Sequence, residues 1–330
     1  MSVPGVLARF APGRTIEPTT TISELGLTSL ERVELMMALE EAFQVTVDEG
    51  AFSATSTVAD LEALVKPADW GQTPAALVPG SDPGRAANGV RPRSLGYTPA
   101  NKEIVFPSWN RTLPARVARR VSLPTWILPL GRIFARVTVK GLEHLEKIEG
   151  PVIFAANHQS HFDGPVILDS LPPRWRYRTA PAMMKEFFNP HFYPERYSRR
   201  EWFTNSLNYY LSSLFFFAFP LTQGTTGTRQ TLRYIGDLVG EGYSILIFPE
   251  GRRTDTGEIG RFQPGVGMIA SRIAVPVVPV RLVGLDTVLP RHAKFPAVSQ
   301  VECRFGPPIV LTGNDYAELA GRVEAAVRAL

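Results

Sequence analysis

Val152-Ile153-Phe154-Ala155-Ala156-Asn157-His158-Gln159-Ser160-His161-Phe162-Asp163 passes from an unbroken apolar run into a cluster of polar and titratable side chains. The apolar run predicts a strand over 151–156. Beyond it a histidine and a carboxylate stand five positions apart. An ideal helix would separate such a pair by about 140° around its axis, so the two meet only if the chain turns on leaving the strand. The C-terminal end of a strand in an α/β sheet is where ligand sites form. A histidine oriented by a carboxylate is the general-base unit of acyl transfer. Taken alone, the same residues also read as a surface histidine beside a helix-capping Asp163.

Working outward, strand-like runs at 244–249, 275–283 and 300–305 alternate with helical patterns at 164–170, 228–240, 265–273 and 315–330. Such alternation predicts an α/β domain with helices packed on a mainly parallel sheet. Two of these strands carry their own blocks. Phe248-Pro249-Glu250-Gly251-Arg252-Arg253-Thr254 ends one, and Val275-Pro276-Val277-Val278-Pro279-Val280 opens another.

The N-terminal part has a different character. Residues 1–66 hold four Lys/Arg against ten Asp/Glu, so in a chain of net charge +4 the remainder carries +10. Leu30, Val33, Leu35, Met36, Leu39 and Phe43 mark one face of a helix, with Glu31, Arg32, Glu34, Glu40 and Glu41 on the other. A second helix is expected over 57–65, which makes a short all-α bundle. Residues 67–120 read as a Pro/Arg-rich linker between a domain at 1–66 and one at 121–330. Hydrophobic content of 44% is ample for a core and excludes wholesale disorder. Cys303 is the only cysteine, so neither an intramolecular disulfide nor a thiol metal site is expected, and a cytosolic setting is the simpler reading. No apolar run of signal-peptide length lies in residues 1–14.

Between Arg85 and Lys140 the only acidic residue is Glu103, and such a basic stretch attracts nucleic acid or an anionic membrane face. Charge does not choose between these, but no base-reading motif is present and the neighbouring residues suit lipid. Residues 121–137 mix Trp126, Leu130, Ile133 and Phe134 with Arg132 and Arg136, and residues 202–219 hold Trp202, Phe203, Tyr210 and a phenylalanine run. Both are too short to span a bilayer. They are read as interfacial, peripheral on the cytoplasmic face, the alternative being that the aromatics fill the core.

Together, in this order and spacing, the HxxxxD, FPEG and VPVVP blocks resemble the lysophosphatidic acid and glycerol-3-phosphate acyltransferases of the glycerolipid acyltransferase superfamily. The resemblance implies His158 as the base on an acceptor hydroxyl and Asp163 as its partner. It implies substrate contacts at Asn157, Ser160, Gln223, Glu250, Gly251, Arg252 and Arg253, with Arg253 matching a family arginine. No metal is implied. Gln223 stands where the family usually has an arginine for the acceptor phosphate, which leaves a non-phosphate hydroxyl acceptor open. His161 does not occupy the catalytic position.

Leu25-Gly26-Leu27-Thr28-Ser29-Leu30-Glu31 resembles the 4′-phosphopantetheine attachment region of acyl carrier proteins, with Ser29 bearing the arm and Thr28 in place of the usual aspartate. Ser29 as a plain helix N-cap is the other reading. The expected activity is O-acyl transfer from acyl-CoA or an acyl carrier protein to a lysophospholipid such as 1-acylglycerol-3-phosphate, in phospholipid biosynthesis. An acyl-activating enzyme is a further expected partner. A catalytically silent carrier and membrane-interaction module is the alternative.

Overall fold

Apolar runs without alternation form the middle of a sheet because both of their faces must be covered. The computed structural model describes residues 2–11, 16–22, 24–27, 29–43, 45, 47, 51–52, 55–65, 106–221, 228–253, 258–289 and 295–330. Two units separate, Met1–Glu103 and Ile104–Leu330.

In the second unit the strands are β1 (Ala135–Lys140), β2 (Ile153–Ala156), β3 (Thr179–Met184), β4 (Phe219–Leu221), β5 (Ser244–Ile247), β6 (Val277–Val283) and β7 (Ser299–Phe305). Their order across the sheet is β1-β7-β6-β2-β5-β3-β4. Strands β2 to β6 run parallel to one another, while β7 is antiparallel to β6 and pairs in parallel with the edge strand β1. Every residue of β2 and β5 is buried. Phe154 of β2 meets Trp175 and Phe305 edge-on, with ring centroids 5.7 and 6.2 Å away. Burying a side chain of that size stabilises the fold by about 1.5–3 kcal/mol. The α/β class with a mainly parallel sheet is therefore as expected.

The principal helices of this unit are numbered after those of the first unit. They are α4 (Leu113–Ser122), α5 (Leu128–Phe134), α6 (Asp163–Ser170), α7 (Arg199–Phe215), α8 (Thr228–Gly240), α9 (Gly265–Ile273) and α10 (Tyr316–Ala329). Helices α9 and α10 approach closely at Gly267, where a Cβ would sit 2.5 Å from the Tyr316 carbonyl oxygen. Asp315 caps α10 by accepting from the Glu318 N–H at 3.0 Å.

Two expectations need correction. The expected linker runs to residue 120, but the structure places 106–120 in the second unit. Phe106 stacks on Tyr234 at 4.3 Å, Arg111 pairs with Glu241, and α4 buries Arg119. That guanidinium donates to the carbonyls of Leu214 at 2.9 Å and Asn110 at 3.0 Å and lies 4.6 Å from the centroid of the Phe217 ring. Burial brings its pKa down to about 10. A proline- and arginine-rich composition hid a helix whose arginine serves the end of α7. The remainder of the expected linker lies outside the described residues.

The interfacial segments also divide. Leu123, Leu128, Tyr209, Phe217 and Phe219 are buried and belong to the core. By contrast Leu113, Val117 and Val121 lie exposed four residues apart on α4, and Trp126, Leu130 and Ile133 extend the stripe. Trp202, Phe203, Leu207, Tyr210 and Leu211 are exposed on α7, which packs against α4. Among the described residues no helix is long and apolar enough to cross a membrane.

The first unit is helical, with α1 (Val3–Leu7), α2 (Ser29–Phe43) and α3 (Val58–Val65). Val6, Leu7, Leu35, Met36, Leu39, Val58 and Leu61 form its core. Reciprocal bonds between Thr57 and Asp60 start α3, at 2.9 and 3.2 Å. Glu34, expected on the polar face, is buried. The expected helical bundle is present.

Candidate active site

The first two blocks leave the sheet side by side because their strands are neighbours. Ile153 pairs with Ile245 and Ala155 with Ile247, so residues after Ala156 and after Ile247 emerge at the same edge. On the other side, Asn157 prolongs the β2–β6 ladder with its side chain. Its Oδ1 accepts the Leu282 N–H at 2.7 Å and its Nδ2 donates to the Leu282 carbonyl at 3.0 Å. Gln159 does the same one turn further, its Oε1 accepting the Leu285 N–H at 3.2 Å.

The turn that joins histidine to carboxylate is gathered by the carboxylate itself. Asp163 opens α6, where the helix dipole favours a negative charge. It accepts the Gln159 and Ser160 backbone N–H groups at 2.6 and 2.9 Å, and His158 Nδ1 lies 2.7 Å from Oδ2. The pair expected from the sequence is therefore assembled. His158 packs face-on against Phe248 of the second block at 4.6 Å, and its backbone N–H donates to Glu250 Oε1 at 2.8 Å. With the Nδ1 proton directed at Asp163, the basic lone pair of the neutral imidazole is on Nε2.

Burial pushes the Asp163 carboxyl up from its ordinary value, and the His158 bond and two backbone N–H groups pull against it. Glu250 is likewise raised by burial, with the His158 and Gly260 N–H groups opposing. His161 is lowered, first by burial and then by the positive charge of Arg253 and by His158. The charge of Arg253 thus reaches His161 within the HxxxxD turn, whereas Arg252 is exposed.

Three expected substrate contacts are better read as framework. Asn157 and Ser160 are fully buried, and the amide of Asn157 is committed to Leu282. Both Glu250 oxygens are occupied, one by His158 N–H and one by Gly260 N–H at 2.9 Å. Short polar side chains at a strand end are drawn into backbone pairing, which a motif does not reveal. Gly251, at φ 67°, makes the turn after Glu250. Gln223 and Thr28 lie outside the described residues, as does the Ser29 side chain, although the Ser29 backbone starts α2.

Sequence reasoning missed Lys185. It follows β3 at the same sheet edge and is buried, with Nζ 3.0 Å from the Tyr193 hydroxyl. A single lysine after a strand carries no pattern that would single it out. Among the described residues no three His, Cys, Asp or Glu side chains form a metal-ligand set.

Residues 136–283 match the family model described as Acyltransferase, and residues 4–65 match the one described as Phosphopantetheine attachment site. A chloroplastic 1-acyl-sn-glycerol-3-phosphate acyltransferase of Brassica napus is 27% identical over 48% of this chain and 40% of its own length. The chain thus spans less than half of that relative. A 1-acyl-sn-glycerol-3-phosphate acyltransferase of Pseudomonas aeruginosa is 26% identical over 64% of this chain and 77% of its own. A chloroplastic acyl carrier protein 3 of Hordeum vulgare is 43% identical over 16% of this chain and 40% of its own. The second unit holds the acyltransferase-family match and the first the phosphopantetheine attachment-site match.

Proposed function

We propose that the chain transfers a fatty acyl group from a thioester to the free hydroxyl of a lysophospholipid such as 1-acylglycerol-3-phosphate, as a step of phospholipid biosynthesis. The observation that carries this reading is the 2.7 Å contact between His158 and a buried Asp163 that two backbone amides hold in place. His158 Nε2 takes the proton of the acceptor hydroxyl as its oxygen attacks the thioester carbonyl. Asp163 stabilises the imidazolium that forms. The tetrahedral intermediate collapses with loss of the thiolate, which takes up the proton from the imidazolium. No covalent enzyme intermediate is needed.

In this reading Arg253, whose charge acts on His161, holds the acceptor phosphate, because a guanidinium fork suits the anion. The names of the relatives agree with a phosphate-bearing acceptor. The first unit carries the phosphopantetheine arm on Ser29 at the start of α2, and the acyl group arrives on that arm or on coenzyme A. Exposed apolar stripes on α4 and α7, with Arg116, Arg120, Arg199 and Arg200 exposed among them, support peripheral attachment to an anionic leaflet.

The acceptor is tested by comparing 1-acylglycerol-3-phosphate with monoacylglycerol under one acyl-CoA. A kcat/KM at least about tenfold higher for the phosphate is expected, roughly the worth of one charged hydrogen bond. Equal values would make the acceptor a neutral alcohol and remove Arg253 from binding.

A further inference from the structure

The block that carries Arg252 and Arg253 leaves β5 and returns to α9 through residues 249–263. Its ends are tied together, since the Pro249 carbonyl accepts the Gln263 N–H at 2.8 Å and Glu250 Oε2 accepts the Gly260 N–H at 2.9 Å. Among its described residues, 258–263, the returning arm forms no strand, so its backbone groups need other partners. The last helix supplies them. Glu324 Oε2 accepts the Phe262 N–H at 2.9 Å, and the Arg328 guanidinium donates to the Ile259 carbonyl. A bond from Arg328 Nε to Glu324 Oε1, 2.8 Å long, joins the two side chains. Ile259 and Phe262 themselves point inward and are buried.

We propose that α10 clamps this block from outside, with Glu324 and Arg328 as positioning residues that set the affinity for the phosphate of the acceptor. This deepens the preceding reading and rests on it. The clamp acts on the arm that returns from Arg253, and a bidentate contact to phosphate tolerates little displacement. The base is held differently. His158 is fixed by Asp163 and by Glu250 Oε1, and neither bond involves α10. Loosening the clamp therefore weakens acceptor binding and leaves the chemical step in place. The helix does not depend on these two side chains, because it packs on α9 at Gly267 and its Arg328 carbonyl accepts from Arg281 at 2.7 Å.

The test uses Glu324→Ala and Arg328→Ala in the full chain, with Glu324→Gln as the conservative variant that keeps an acceptor oxygen. Two readouts are taken, steady-state kinetics and amide hydrogen exchange. With acyl-CoA saturating, each alanine variant is expected to raise KM for 1-acylglycerol-3-phosphate about tenfold, with kcat within about twofold. Glu324→Gln should recover most of the loss. Exchange at the Phe262 amide should quicken in Glu324→Ala while the β2 and β5 amides keep their protection. A fall in kcat at unchanged KM, or no change in either, would overturn the clamp. So would unaltered exchange at Phe262, which is decisive even if the wild-type chain transfers no acyl group and the functional reading itself has failed.

Discussion

Asp163 gains its role from what surrounds it. Its carboxylate is fully buried, yet it accepts from two backbone amides and the His158 ring, and those bonds fold the turn that makes the pair. Asparagine at this position keeps one acceptor oxygen but turns an NH2 toward a backbone N–H or toward Nδ1, and it cannot balance an imidazolium. Asp163→Asn is therefore expected to lower kcat by about two to four orders of magnitude. The variant should still unfold cooperatively in a thermal melt. Activity within about threefold of wild type would show that the carboxylate only builds the turn. At His161, by contrast, burial and then the charge of Arg253 hold the imidazole below the ordinary histidine value.

Helices α4 and α7 show how far an element's surface departs from its composition. Trp109 and Tyr210 meet at 5.9 Å and Trp126 and Phe215 at 5.4 Å, which joins the two stretches, and outside that seam Trp202 and Phe203 stay exposed. Replacing both with serine should lower partition onto phosphatidylglycerol-containing vesicles by at least about tenfold in a flotation assay. Retained binding would move the contact surface elsewhere. Elements with strong periodicity or continuous apolar character were legible in advance. Helices α8 and α9 begin and end where the pattern places them, and β2, β5 and β6 differ only at their ends. The strands β1, β3 and β4 were not legible. β1 is an edge strand with alternating exposure inside an arginine-rich stretch, β3 carries a proline, and β4 is three residues long. The His158–Asp163 pair was visible because its residue types are rare in that setting. The commitment of Asn157 and Glu250 to backbone groups was not, because hydrogen-bond partners 92 and 125 residues away leave no local trace.

At the scale of the whole molecule, an acidic helical unit and a basic α/β unit share one chain, and each matches a family model of its own. Co-expression with a phosphopantetheinyl transferase should add one arm to the intact mass, and Ser29→Ala should abolish the addition. An unchanged wild-type mass would leave Ser29 as the N-terminal residue of α2 and nothing more. The central claim is that His158, held by Asp163, is the base of an acyl transfer. Its most direct test is transfer of a labelled acyl group from acyl-CoA to 1-acylglycerol-3-phosphate by the full chain and by His158→Ala. Product from the wild type and a rate at least about a hundredfold lower from the variant is the predicted result. Equal rates from the two would contradict it.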